Sequence, residues 1–186
     1  MQAKHTLKKG WVQGIEHLPS DNFDKRPSGQ EPEVLVIHCI SLPPGEYGGS
    51  EICDFFQNRL DCTTHPYFEQ IRDLCVSPHF LIERTGRIVQ LVNTDHRAWH
   101  AGVSEYHGRE AVNDFSIGIE LEGLDDGLFV DAQYDSLTSL SHTLIAAYSK
   151  LTDESVTGHS DIAAGRKIDP GPGFDWARYR QAISNS

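Results

Sequence analysis

Basic residues are scarce in this chain: 16 Lys and Arg stand against 27 Asp and Glu, a formal net charge of -11 at pH 7. Phosphate recognition needs a concentrated basic face. The few cations here are dispersed, so no nucleic-acid partner is expected. Long apolar runs are also missing. None approaches the roughly 20 residues of a membrane span, so no membrane partner is expected. Met1 to Gly10 carries three lysines and no apolar stretch of signal-peptide length, and a cytoplasmic location is therefore expected. The four cysteines, Cys39, Cys53, Cys62 and Cys75, form neither a CxxC pair nor a paired-cysteine zinc ribbon. They read as free thiols of a reducing compartment.

What is present suits one domain. With 186 residues and 38% hydrophobic composition the chain can bury a core without disulfides. Residues 1 to 32 are polar and rich in turn signals, which predicts an irregular lead-in packed over a domain spanning 33 to 183. Val34-Leu35-Val36-Ile37-His38 has the pattern of a buried strand that ends at a histidine. Helices are predicted at Ser50 to Asn58 and Pro66 to Asp73, with Ser50 as a cap for the first. His79 to Glu83 and Ile88 to Val92 read as a β-hairpin around a glycine-containing turn. In Phe115 to Gly123, Ile117, Ile119 and Leu121 alternate with Gly118, Glu120 and Glu122, so both carboxylates share a strand face. Asp131 is placed to cap a long helix with a core-facing stripe through Tyr134, Leu137, Leu140, Leu144, Ile145 and Tyr148. A last helix, capped by Asp175, runs through Trp176 and Tyr179 to Ile183. The order of elements predicts an α/β fold, a single domain with a central mixed β-sheet flanked by helices.

Chemistry concentrates in the segment Gly158 to Pro172. His159, Lys167 and Asp169 lie close together in sequence there. An imidazole and a carboxylate suit zinc, and a third ligand from elsewhere would leave the fourth tetrahedral position open for water. Lys167 could neutralise an oxyanion formed nearby. Taken alone, Asp-Pro-Gly-Pro is also an ordinary turn composition.

Four stretches in register strengthen the first reading: VLVIHCISLPPGEYGG, RAWHAGVS, NDFSIGIELEG and TGHSDIAAGRKIDPGPGFDW. Together they resemble the AmpD-type N-acetylmuramyl-L-alanine amidases, within the zinc amidases that include T7-type lysozyme and the peptidoglycan recognition proteins. The resemblance covers about residues 10 to 183. It implies Zn2+ held by His38, His159 and Asp169, Glu120 as proton acceptor and Lys167 as transition-state stabiliser. From the residues alone, Glu122 is an equal rival for the proton-transfer role, and the family pattern favours Glu120. Trp99 and His100 are candidates for a sugar-binding wall, since an aromatic ring stacks on a pyranose and an imidazole reaches hydroxyls. Asn113 is a candidate for the cleft edge. The other histidines, His5, His17, His65, His79, His96, His107 and His142, fit no ligand-spaced set and read as surface or structural residues.

The resemblance implies hydrolysis of the amide between the lactyl group of anhydro-N-acetylmuramic acid and L-alanine during cell-wall recycling, by a monomer acting on small muropeptides. Alternative readings are a phage-type or periplasmic amidase acting on intact peptidoglycan, a muropeptide-binding module without catalysis, and a fold that only retains the motifs. Three positions depart from the relatives' pattern: Cys39 stands for asparagine, and Cys75 and Ala111 stand for arginines that could hold stem-peptide carboxylates. Strand alternation makes Cys39 a packing thiol rather than a ligand. Arg84, Arg97, Arg109 and Arg166 are the candidates to compensate for the missing arginines.

Overall fold

The structure, a computed structural model, describes residues 5–184. The first four residues of the expected lead-in lie outside that range. The rest of the lead-in, expected to be irregular, carries four short strands among its turns and loops. It forms a hairpin of β1 (Leu7–Lys8) and β2 (Trp11–Val12), followed by β3 (Glu16–His17) and β4 (Phe23–Lys25). Then come β5 (Val34–Ile40), α1 (Glu51–Phe56), α2 (Pro66–Ile71), β6 (Phe80–Ile82), β7 (Ile88–Gln90) and β8 (His96–Ala98). A small hairpin of β9 (Glu105–Tyr106) and β10 (Arg109–Glu110) precedes a 3-10 turn at Val112–Asp114 and the strand β11 (Ser116–Glu122). The chain finishes with α3 (Asp131–Ala147), β12 (Val156–Gly158), α4 (His159–Ile162) and α5 (Trp176–Ser184).

Six strands form one mixed sheet in the order β12-β5-β11-β6-β7-β3, as expected for a mixed α/β domain. β12, β5, β11 and β6 run parallel, β7 turns back as a hairpin with β6, and β3 lies parallel to β7 at the edge. Of the N-terminal strands only β3 joins this sheet; β1 and β2 form a two-stranded sheet of their own, and β4 pairs with β8 in another. The anchor of the N-terminal stretch is Gln90, a fully buried amide whose Oε1 accepts from the Val12 backbone N–H at 2.8 Å and whose Nε2 donates to the Gly10 carbonyl at 2.8 Å. Such a group can be buried only with its hydrogen bonds made, and the β1–β2 hairpin supplies them.

Alternation along the central strands divides the molecule into two faces. Leu35 and Ile37 on β5, with Ile117, Ile119 and Leu121 on β11, enter the main core together with Tyr134, Leu137, Leu140 and Leu144 of α3 and Tyr179 and Ile183 of α5. The stripe read from the sequence is thus the core face of α3. Its cap differs from expectation: Asp131 is the first helical residue and the cap position is Val130, whose N–H donates to Gln133 Oε1 at 3.2 Å. Asp131 instead pairs with Arg178. The cap at α2 is His65, whose Nδ1 accepts from the Tyr67 N–H. Asp175 does cap α5, accepting from the Arg178 N–H at 2.9 Å. Among the described residues no helix is long and apolar enough to cross a membrane.

The loop after α4 is seated by close backbone approach. Gly171 has φ +76°, and a Cβ there would stand 1.9 Å from the Asp125 carbonyl oxygen. Gly171→Ala is expected to cost about 1–3 kcal/mol through left-handed strain and that clash, or about 2–4 °C of Tm per kcal/mol in a domain of this size. Thermal unfolding checks it, and an unchanged Tm would contradict the packing described.

Candidate metal centre and its cleft

Three elements bring one polar cluster to the carboxyl ends of the parallel strands. Register pairs His38 of β5 directly with Glu120 of β11, which puts both side chains on the face opposite the main core. β12 pairs Gly158 with Ile37, so His159, the first residue of α4, emerges next to His38. That turn is held by Asp161 Oδ2, which accepts from Thr157 Oγ1 at 3.1 Å and from the Gly158 N–H at 3.0 Å. Asp169 returns on the following loop, where its carbonyl accepts from the Ser160 N–H at 2.9 Å.

The three side chains converge through single atoms. His38 Nδ1 lies 3.0 Å from His159 Nδ1 and 3.2 Å from Asp169 Oδ2, and His159 Nδ1 lies 3.0 Å from the same oxygen. His38 is 1% exposed, and burial lowers its pKa to about 4 although the Asp169 contact acts in the opposite sense. It is neutral at pH 7. Burial acts to raise the Asp169 pKa, but the contacts with His159 and His38 override it and hold the carboxyl below the usual range. His159 Nε2 is 3.2 Å from the Ala101 carbonyl, which can only accept, so Nε2 carries the proton and the Nδ1 lone pair faces the cluster. A carboxylate and imidazole lone pairs aimed at one point form a cation site. A tetrahedral ion with bonds of about 2.0–2.1 Å spaces its ligands about 3.3–3.4 Å apart, so this triangle accepts one after shifts of a few tenths of an ångström. The residues present fit a metal ion.

The cluster forms one wall of a cleft of about 430 Å³ that Glu120 and Lys167 also line. Glu120 Oε2 is buried and has no hydrogen-bond partner among the described residues. Burial, then the nearby Asp169 charge, raises the Glu120 pKa well above the ordinary carboxylate range. Lys167 is exposed at the mouth, and its ammonium has no ion-pair partner among the described residues. Glu122, the rival from sequence, is 2% exposed and fully engaged elsewhere. Its Oε1 accepts from the Gly48 N–H at 2.6 Å and its Oε2 from the Arg84 N–H at 2.9 Å. Those bonds tie two loops to the end of β11, and Glu122 does not line the cleft.

The remaining candidates separate. Trp99 lines the cleft, as a wall residue should. His100 also borders it, but both its ring nitrogens are used: Nδ1 lies 2.9 Å from His38 Nε2 and Nε2 lies 3.0 Å from Ser116 Oγ. Neither ring nitrogen is then free to reach a sugar hydroxyl, though the ring itself still lines the cleft. Asn113 lies at the cleft edge, yet its Oδ1 accepts the backbone N–H groups of His100 at 3.2 Å and Ala101 at 2.8 Å. Cys39 is outside the metal-ligand set and packs beneath Pro170, its Sγ 3.8 Å from that carbonyl. Of the four arginines weighed as substitutes, Arg166 alone lines the cleft. Arg97 and Arg109 are bound to Asp24, Asp114 and Glu33, and Arg84 lies over Tyr47.

Sequence reading gives Arg26 no role at the site and takes His79 only as a surface or structural residue. Arg26 is half-buried and donates to the carbonyls of Thr94, Asn113, Asp114 and Ser116, which ties the N-terminal stretch to the backbone under the site. Burial lowers its pKa to about 10. His79 is fully buried, and its Nδ1 accepts from the Gly118 N–H at 3.0 Å. Neither has a local signal, because their partners lie far away in sequence.

Comparison with known proteins agrees with this geometry. Residues 28–172 match the sequence profile of N-acetylmuramoyl-L-alanine amidase. The 1,6-anhydro-N-acetylmuramyl-L-alanine amidase AmpD of Haemophilus influenzae is 51% identical over 183 residues, covering 98% of this chain and all of that one. The crystal structure of an AmpD derivative superposes with a TM-score of 0.92 at 51% identity, covering 95% of this chain and 98% of that chain. Escherichia coli AmiD, solved with the substrate anhydro-N-acetylmuramic acid-L-Ala-D-gamma-Glu-L-Lys, gives a TM-score of 0.59 at 30% identity, covering 97% of this chain and 66% of that chain. With a profile match over most of its length and full-length relatives at half identity, the chain belongs to the N-acetylmuramoyl-L-alanine amidase family.

Proposed function

We propose that the chain is a zinc-dependent amidase that hydrolyses the bond between the lactyl group of anhydro-N-acetylmuramic acid and L-alanine in small muropeptides, as a step of cell-wall recycling. The observation that carries the reading is the His38, His159 and Asp169 triangle beside the unpartnered Glu120 Oε2, in a cleft whose mouth presents Lys167. Relatives whose names specify the anhydro sugar support the substrate class.

His38 Nδ1, His159 Nδ1 and Asp169 Oδ2 would hold the ion. Zinc, when bound, supplies a Lewis acid that lowers the pKa of a water molecule and polarises a carbonyl. Glu120 takes the proton of the attacking water and returns it to the amide nitrogen as the C–N bond breaks, so that the leaving group departs as a neutral amine. A carboxyl with a raised pKa is suited to both halves of that transfer, since it neither holds nor releases the proton too firmly. Lys167, at the cleft mouth, supplies the cation that would stabilise the oxygen that becomes anionic in the tetrahedral intermediate. Trp99 offers an aromatic face to the pyranose.

Every group invoked comes from one chain, and the proposal requires only a monomer. A cytoplasmic setting belongs to the same proposal, and the four unbridged cysteines support it. The test is mass spectrometry of purified anhydro-N-acetylmuramyl tripeptide after incubation with the protein, beside intact sacculi. Free tripeptide and free anhydro sugar are expected from the first, with little release from the second. Preferential release from sacculi would contradict the substrate assignment. Lys167→Ala is expected to retain zinc and lose about 10²- to 10³-fold in turnover, the effect of one oxyanion-stabilising group. Near-wild-type turnover would remove Lys167 from that role.

A further inference from the structure

The two histidines of the triangle turn their second ring nitrogens toward two adjacent residues. His38 Nε2 meets His100 Nδ1 at 2.9 Å, and His159 Nε2 meets the Ala101 carbonyl at 3.2 Å. We propose that His100 and Ala101, clamped by Asn113, form a positioning shelf that sets the tautomer and ring orientation of both metal-ligating histidines. The inference rests on the reading of the triangle as a zinc site.

Each link has a physical reason. An imidazole that binds a cation through Nδ1 carries its proton on Nε2 and needs an acceptor there, and such an acceptor fixes the ring and raises its basicity. The Ala101 carbonyl is the acceptor for His159. For His38 the acceptor is His100 Nδ1, which requires the proton of His100 on Nε2, where Ser116 Oγ lies at 3.0 Å to receive it. The His100 ring is in turn held from below. It lies against Gly118, where a Cβ would come within 2.4 Å of the ring Cγ. Asn113 Oδ1 accepts the N–H groups of both shelf residues, and Arg26 donates to the Asn113 carbonyl at 3.1 Å. One amide oxygen thus sets the backbone that faces both ligands, and the two rings are oriented together.

The test compares zinc affinity of wild-type protein, His100→Phe and His100→Asn by competition against a chromophoric chelator, with apoprotein Tm measured alongside. Phe keeps the ring and removes the acceptor, whereas Asn keeps an acceptor at the Nδ1 position. The expected result is 10- to 100-fold weaker zinc binding by the Phe variant, the usual effect of removing an outer-shell partner, and recovery of most of it by the Asn variant. Wild-type affinity in the Phe variant, or equal loss in both variants, would overturn the proposal. Absence of zinc binding in wild-type protein would instead refute the metal reading on which it rests. Imidazole 15N shifts of the wild-type apoprotein need no variant: both His38 and His159 are expected as Nε2–H tautomers, and an Nδ1–H tautomer at either would overturn the shelf.

Discussion

Asp169→Ala is expected to lose zinc and amidase activity together while keeping the fold. Asp169 supplies the only negative charge among the three converging ligand atoms, and without it two neutral imidazoles at 3.0 Å remain. Its backbone role survives the substitution, because the bond to the Ser160 N–H uses the carbonyl rather than the side chain. The measurements are metal content after gel filtration, hydrolysis of the anhydromuramyl tripeptide, and far-ultraviolet circular dichroism. A variant that keeps one zinc per chain would remove Asp169 from the ligand set.

Glu120→Gln is expected to keep zinc and substrate affinity but to lower kcat by about 10²- to 10⁴-fold, the range for removal of a general acid–base group. The amide is nearly isosteric with the carboxyl and cannot carry the proton. The acidic limb of the pH profile of kcat/KM should go with it: activity that rises with pH as Glu120 ionises becomes flat there in the variant. Glu122→Gln is the comparison. Its two oxygens each accept one backbone N–H, and glutamine offers a single oxygen, so about 1–3 kcal/mol of stability is expected to go while turnover remains. If Glu122→Gln loses turnover and Glu120→Gln retains it, the assignments are reversed.

The contrast between these two glutamates marks how far the chain could be read unaided. Alternation in Ile117 to Glu122 puts both acids on one face, and the structure places them there. What distinguishes them is non-local: the N–H groups of Gly48 and Arg84 occupy Glu122, while the register with β5 sets Glu120 beside His38. Likewise the α3 stripe was legible because it repeats over 17 residues, whereas β3 and β12 are two and three residues long and carry no period. Their existence follows from partners on β7 and β5. His100 reads as a wall candidate because an imidazole can reach hydroxyls. Its occupied ring nitrogens depend on Ser116 and His38, which no spacing in the sequence connects to it. Asp131 had the right chemistry for a cap, but the Gln133 side chain satisfies the Val130 N–H and the helix begins one residue earlier than the cap reading required.

The most direct measurement is a zinc titration of chelator-stripped protein, read as hydrolysis of the lactyl–alanine amide of anhydro-N-acetylmuramyl tripeptide. Activity should be absent at zero metal, rise in proportion to added zinc and level off at one equivalent per chain, the capacity of the His38, His159 and Asp169 triangle. Full activity in stripped protein, or none at any zinc level, would contradict a zinc amidase.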